Sequence, residues 1–251
     1  MRLFGLIGYP LTHSFSQRFF TEKFAREHIT DARYELFPLP NIRDLPLLLA
    51  AQPDLCGLNV TIPHKESVMP WLDALDETAR QVGAVNCIRL QNGRLTGYNT
   101  DVYGFEKSLL HTDFMVALPP DIPFRAFILG TGGAAKAVAY VLRKRNIPYQ
   151  FVSRQPTAGQ IGYAELPPLL SAGPALLVNT TPLGTFPVVE AMPPVPVDYL
   201  GPEHLVFDLV YNPPETLLLR QARACGSAVQ NGLEMLHLQA ERAWEIWNDH
   251  E

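Results

Sequence analysis

Short apolar runs, each closed by polar or glycine-bearing residues, recur along this chain in two series. In the first, Leu3 to Ile7, Arg33 to Phe37 and Gly57 to Val60 read as strands. Between them, Ser16 to Glu27 carries Phe19, Phe20 and Phe24 near helical spacing, and Ile42 to Ala51 predicts a second helix. Ala84 to Leu90 and Arg94 to Tyr98 flank Gln91-Asn92-Gly93. That is a hairpin signal, because Asn and Gly accept the positive φ of a tight turn. Thr100 to Leu110 is helical in pattern, and His111 to Pro123 reads as a linker. The second series has strands at 126–130, 149–153, 175–179, 205–210 and 227–230, with helical or loop segments between them. Such alternation predicts a doubly wound α/β sheet. The stretch 155–174 is rich in proline and glycine and signals its helix weakly. Leu233 to Asn248 is a strong helix with Leu236, Ala240, Ala243, Trp244 and Trp247. No fixed-period repeat is present.

Composition narrows the class. A chain of 251 residues, 47% of them apolar, suits one large or two small domains with real cores. The formal charge of −5, with no basic run, argues against a nucleic-acid partner. No segment approaches the roughly 20 apolar residues of a membrane span. The N-terminal apolar stretch is too short for a secretory signal and is broken by Pro10 and His13. Cys56, Cys87 and Cys225 fit neither a disulfide frame nor a zinc spacing, so free thiols in a reducing cytoplasm are expected.

The sharpest chemical signal lies mid-chain. Ala126 to Leu129 reads as a buried strand, Gly130-Thr131-Gly132-Gly133-Ala134-Ala135 follows, and Ala134 to Arg145 reads as a helix. Strand, G-x-G-x-x-A turn and helix together form the phosphate-cradling start of a dinucleotide fold. NAD-binding folds place an acid about 20 residues further on, at the ribose 2′-hydroxyl. Asn146 to Ala164 contains no acid, and Ser153-Arg154 stands there instead. An arginine at that place suits the 2′-phosphate of NADP, although it also reads as a solvated surface cation.

Four polar clusters follow strands in the first half. His13-Ser14-Phe15-Ser16 precedes a helix, where hydroxyls and helix N–H groups hold a carboxylate or simply cap the helix. Asn59-Val60-Thr61-Ile62-Pro63-His64-Lys65 puts a lysine in a loop after a buried strand, as a catalytic ammonium or a solvated one. Gly83-Ala84-Val85-Asn86 and Tyr98-Asn99-Thr100-Asp101 are the others, the last also readable as an N-cap.

Taken in order, these clusters resemble the shikimate dehydrogenase family. The matching patterns are Gly8 to Ser16 (G-x-P-x-x-H-S-x-S), Asn59 to Lys65 (N-V-T-x-P-x-K), Gly83 to Asn86, and Asn99 to Asp101. The glycine turn, Asn179 to Gly184 (N-T-x-P-x-G), Asp208 to Pro213 and Gly232 to Gln239 continue the match. Gln17 replaces the family's usual proline, Cys87 its threonine and Val102 its glycine, and Ser153-Arg154-Gln155 stands for N-R-T.

The resemblance implies an α/β chain with an N-terminal α/β substrate domain (1–101 with 232–251). A Rossmann-type doubly wound NADP-binding domain (102–231) completes it, with a cleft between them and hinge closure. It implies reversible NADPH-dependent reduction of 3-dehydroshikimate to shikimate in chorismate and aromatic amino-acid biosynthesis, by a cytoplasmic monomer or homodimer. Lys65 and Asp101 are implied as the acid–base pair, without fixing which donates the proton. Ser14 and Ser16 are implied to take the substrate carboxylate, and Thr61, Asn86, Asp101 and Gln239 its hydroxyls, with Asn59 and Tyr211 also in the substrate site. Gly130, Thr131, Gly132, Gly133, Ala134, Ser153, Arg154, Thr180, Gly232 and Met235 are implied for NADP. No metal is expected, and His13, His64 and His237 read as packing or hydrogen-bonding residues. An NAD-linked quinate/shikimate dehydrogenase, a methylenetetrahydrofolate dehydrogenase and a non-catalytic binding protein remain as alternatives.

Overall fold

Strand β1 (Arg2–Gly8) leads into α1 (Phe15–Arg26) and β2 (Ala32–Pro38), in a computed structural model that describes residues 1–11, 15–117 and 124–249. A 3-10 turn, Ile42–Asp44, runs into α2 (Leu45–Ala51), followed by β3 (Leu55–Val60) and the single helical turn α3 (His64–Ser67). Then come β4 (Ala74–Leu75), α4 (Glu77–Val82) and the hairpin β5 (Cys87–Gln91) with β6 (Arg94–Tyr98). These strands form one mixed sheet in the order β2-β1-β3-β5-β6-β4. β1, β2 and β3 are parallel, whereas β5 runs antiparallel to β3 and β6. That reversal places the end of β3, the start of β5 and the end of β6 at one edge: Asn59 lies opposite Cys87, and Cys87 opposite Tyr98.

The chain continues through α5 (Asp101–Leu110), α6 (Asp113–Ala117), β7 (Arg125–Leu129), α7 (Gly133–Lys144) and β8 (Tyr149–Val152). β9 (Gln160–Ile161), α8 (Leu166–Leu170) and β10 (Ala175–Asn179) follow. β11 (His204–Asp208), α9 (Leu217–Ala224), β12 (Ala228–Asn231) and α10 (Leu233–Asn248) complete it. The second sheet has the order β12-β11-β10-β7-β8-β9 and is parallel throughout. Its register aligns Leu129 with Val152 and Asn179, Asn179 with Asp208, and Asp208 with Asn231. Five strands therefore end flush, and the order reverses beside β7, the position where doubly wound sheets bind ligands.

Two compact units result: Met1–Asp101 with the chain from Gln239 on, and Val102–Leu238. In the first, the apolar run of β1 is buried from Leu3 to Ile7, as a central parallel strand requires. One face packs Leu3, Ile7, Leu58, Val60 and Ile88; the other packs Phe4, Phe20, Phe24, Tyr34, Ala240, Ala243 and Trp247. Gly57 is needed there, because a Cβ would lie 2.4 Å from the Trp247 indole. The buried Lys23 ammonium of α1 meets Glu27 and, at 2.6 Å, Glu241 of α10, fixing how the two helices face each other. In the second unit, Phe127, Leu129, Leu177, Val206, Leu218 and Leu219 belong to a core of parallel strands and helices.

Four local expectations change. The 111–123 linker contains α6, and its residues 118–123 lie outside the described residues. The Ile42–Ala51 helix starts as a 3-10 turn, with Pro46 fitted into the first turn of α2 where no N–H is required. Lys65 sits on α3 instead of an open loop. The return to the first unit comes at Gln239, later than the 231/232 boundary, within the unbroken helix α10.

Candidate functional site

Asn86 is the hub of a buried polar cluster in the first unit. Its carboxamide N–H2 donates to Thr100 Oγ1 and Asp101 Oδ1, both at 2.9 Å, and to Gln239 Oε1 at 3.4 Å. Its carbonyl oxygen accepts from the Thr100 backbone N–H at 2.6 Å. The other carboxylate oxygen of Asp101 accepts from Lys65 Nζ at 2.7 Å. The Asp101 side chain is 8% exposed and that of Lys65 is 20% exposed, so the pair is shielded but reachable. Few donors and acceptors here have freedom to turn, because buried polar groups hold their orientation through their partners.

The backbone explains how residues so far apart in sequence meet. His64 is buried, and its Nε2 lies 2.5 Å from the Leu39 carbonyl, anchoring α3. The Lys65 carbonyl accepts from the Val85 N–H at 2.7 Å, tying α3 to the start of the hairpin. Gly83 ends α4 in the left-handed region, at φ +72°, so this glycine serves a helix stop before it serves any ligand. Asn99 donates to the Ala84 carbonyl at 2.8 Å and draws the end of β6 alongside.

The structure brings together Lys65, Asp101, Asn86 and Gln239, with Asn59 beside them, and Ser16 lies in the first turn of α1. Tyr34 Oη donates to Asn59 Oδ1 at 2.8 Å. Asn59 Nδ2 reaches the Asn86 carbonyl at 3.4 Å. Thr61 follows β3 and is half-buried. Ser14 lies outside the described residues, and Tyr211 belongs to the second unit. Sequence reasoning includes Thr100 in the Tyr98–Asp101 cluster without giving it a role, and misses Tyr34. Thr100 has the position for it, next to Asp101; an aromatic residue on a strand carries no signal beyond core.

In the second unit, the residues expected to hold a dinucleotide follow the flush strand ends. Gly130 ends β7 at φ +108°, a conformation that favours glycine, and a Cβ there would lie 2.8 Å from Thr180 Oγ1. Thr180 Oγ1 donates to the Leu129 carbonyl at 2.7 Å, so β10 supports the turn from below. Gly132 precedes α7 with no side-chain cap, and a Cβ there would meet nothing within 4 Å. Open space over uncapped N–H donors is what a phosphate needs. Ser153 and the exposed Arg154 follow β8, Gly133 and Ala134 open α7, and Thr131 is exposed. Gly232 and Met235 are buried at the start of α10; a Cβ on Gly232 would fall 2.1 Å from the Leu209 carbonyl oxygen, so packing alone demands glycine. These residues fit an anionic dinucleotide in shape and charge. Beneath them, Asp208 is fully buried and accepts from Asn179, Thr216 and the Val210 N–H. Burial pushes its carboxyl up to about 6 against those hydrogen bonds.

Comparison with known proteins bears on both sites. The family model for the shikimate dehydrogenase substrate binding domain matches residues 6–88. A shikimate dehydrogenase (NADP(+)) of Symbiobacterium thermophilum is 40% identical, over 98% of this chain and 88% of its own length. This chain belongs to the shikimate dehydrogenase family. Among solved members, shikimate 5-dehydrogenase of Thermus thermophilus in complex with NADP(H) and shikimate aligns at TM-score 0.82 and 32% identity, covering 99% of this chain and 94% of that one. Quinate dehydrogenase of Corynebacterium glutamicum in complex with NAD aligns at TM-score 0.83 and 29% identity, covering 98% and 93%. The family's fold, a substrate domain followed by a Rossmann-type domain, is the fold of this chain. No helix among the described residues is long and apolar enough to cross a membrane.

Proposed function

We propose that this chain catalyses the reversible NADPH-dependent reduction of 3-dehydroshikimate to shikimate. The observation that carries the reading is the Lys65–Asp101 pair, 2.7 Å apart and held by Asn86 among groups suited to a polyhydroxylated acid. The bound cofactor supplies the hydride. The chain's part is to bind and orient the substrate and to move a proton at its C3 oxygen. An ammonium stabilises negative charge developing on that oxygen, and a carboxylate beside it holds the ammonium in place. Asn86 occupies one oxygen of Asp101 and leaves the other for Lys65, so the pair keeps its direction between turnovers.

Ser14 and Ser16 take the substrate carboxylate in this reading, and Thr61, Asn86, Asp101 and Gln239 its hydroxyls, with Asn59 and Tyr211 beside them. Substrates lacking a hydroxyl leave these groups unpaired, which is a strong basis for rejection. Gly130, Thr131, Gly132, Gly133 and Ala134 would hold the pyrophosphate, with Thr180, Gly232 and Met235 bordering the cofactor. Ser153 and Arg154 would hold the 2′-phosphate and select NADP over NAD. The units 1–101 with 239 onward, and 102–238, would then be the substrate and NADP domains of a cytoplasmic monomer or homodimer.

The test is reduced-cofactor formation with shikimate or quinate against NADP or NAD. Rapid turnover with shikimate and NADP is expected. Equal rates with quinate or NAD would move the chain to the broader quinate/shikimate group. No turnover with any pair, in protein that binds NADP, would overturn the substrate assignment.

A further inference from the structure

Tyr34 is an anomaly in its surroundings. It lies in the aromatic core under α1 and α10, 5% exposed, with its ring stacked on Phe20 at 4.6 Å between centroids. Phenylalanine would fill that space. A hydroxyl buried there is unfavourable unless it is paired, so its partner matters. It donates to Asn59, which belongs to the substrate site proposed above.

We infer that Tyr34 is a positioning residue for substrate binding, its hydroxyl setting the orientation of Asn59. The inference rests on the proposed shikimate activity. Tyr34 Oη donates its proton to Asn59 Oδ1, and a flipped Asn59 carboxamide would set its oxygen against the Asn86 main-chain carbonyl, acceptor against acceptor. Asn59 therefore shows its N–H2 side to the cluster, where Nδ2 meets the Asn86 carbonyl. Burial pushes the Tyr34 hydroxyl well above its ordinary value, so this arrangement holds across the working pH range. The ring is clamped by the aromatic core, with Trp247 at 6.4 Å as well, so the hydroxyl is a fixed point. A chain of contacts then links Tyr34, Asn59 and Asn86 to the Lys65–Asp101 pair.

Tyr34→Phe removes one oxygen and keeps the ring. The experiment measures kcat and both KM values for wild type and Tyr34→Phe, and repeats the comparison in an Asn59→Ala background. The expected result is a KM for shikimate raised about tenfold, the equivalent of about 1.4 kcal/mol. The kcat and the KM for NADP stay within about twofold of wild type, and in the Asn59→Ala background the added effect of Tyr34→Phe shrinks. A shikimate KM within twofold of wild type overturns the inference. So does a parallel drop in kcat and both affinities with a lowered melting temperature, which marks a general structural role. A wild-type protein that does not turn over shikimate fails the proposed function itself, before the variant is compared.

Discussion

The two units solve the problem of recognition with different materials. In the first, the site is made of side chains. Asn86, Asp101, Asn59 and Gln239 are buried, each is paired, and the chemistry resides in which atoms they offer. In the second, it is made mainly of backbone. Gly130 supplies a left-handed turn, Gly132 supplies empty space, and α7 supplies N–H groups without a side-chain cap. A small acid with several hydroxyls needs many directed partners, whereas a pyrophosphate needs only N–H donors and room. The contrast predicts that substitutions in the first unit act through chemistry at constant shape. In the second they act through shape at constant chemistry.

The strongest test of that contrast is Lys65→Ala. The side chain leaves, but Asp101 keeps its bond to Asn86 and α3 keeps its anchors at His64 and Val85. Turnover is expected to fall by roughly 10² to 10⁴, with the thermal unfolding midpoint little changed. Near-normal steady-state rates in a folded variant would remove Lys65 from the chemistry.

Asp208 tests the contrast from the other side, because the second unit also contains a buried polar hub. Asp101 has Lys65 as a counter-ion; the partners of Asp208 are the neutral Asn179, Thr216 and the Val210 N–H. Burial raises the Asp208 carboxyl from 3.8 to about 6 in the folded chain, at 0% exposure. The folded state then holds its proton more tightly than the unfolded chain. Its stabilising effect is complete below the unfolded value and is lost as pH rises through about 6, a change of at most about 3 kcal/mol. Asp208→Asn keeps the shape, and its amide can donate to Thr216 while its oxygen accepts from Asn179 and Val210. Chemical unfolding should show the variant more stable than wild type at pH 8, with the gap unchanged down to about pH 6 and closing as pH falls from about 6 toward 4. A gap that is constant with pH would mean that Asp208 is not the titrating group.

The same contrast governs what the sequence reveals. Strands and motif clusters are legible because β1 and β10 are continuous apolar runs and because Asn86, Lys65 and Asp101 carry their chemistry in their identity. The helix Leu233–Asn248 is legible to the residue, since sixteen residues hold one amphipathic pattern. Four-residue α3 is not, because a single turn is too short to show a period. Tyr34 is not, because the signal of an aromatic strand residue is burial, and only the fold shows that its hydroxyl reaches Asn59 on β3. The glycines of the second unit look alike in sequence. The structure divides them: Gly130 is required by φ, Gly232 by the Leu209 carbonyl, and Gly132 by neither.

That division supplies the smallest and most discriminating prediction. Gly132 has φ −78° and ψ −172°, extended backbone that any residue adopts, with no atom within 4 Å of a new Cβ. Gly132→Ala should therefore fold with unchanged stability. A methyl group on the turn would nevertheless stand where a pyrophosphate must approach the backbone, so the KM for NADP should rise about tenfold while the KM for shikimate holds. Gly130→Ala is the control with opposite behaviour: positive φ and the 2.8 Å approach to Thr180 Oγ1 should lower stability by about 1–3 kcal/mol whether or not cofactor is present. Thermal unfolding of both variants, with and without NADP, separates the two. If Gly132→Ala lost stability without cofactor, the turn would be a structural constraint of the fold, and the open space above it would no longer argue for a bound phosphate.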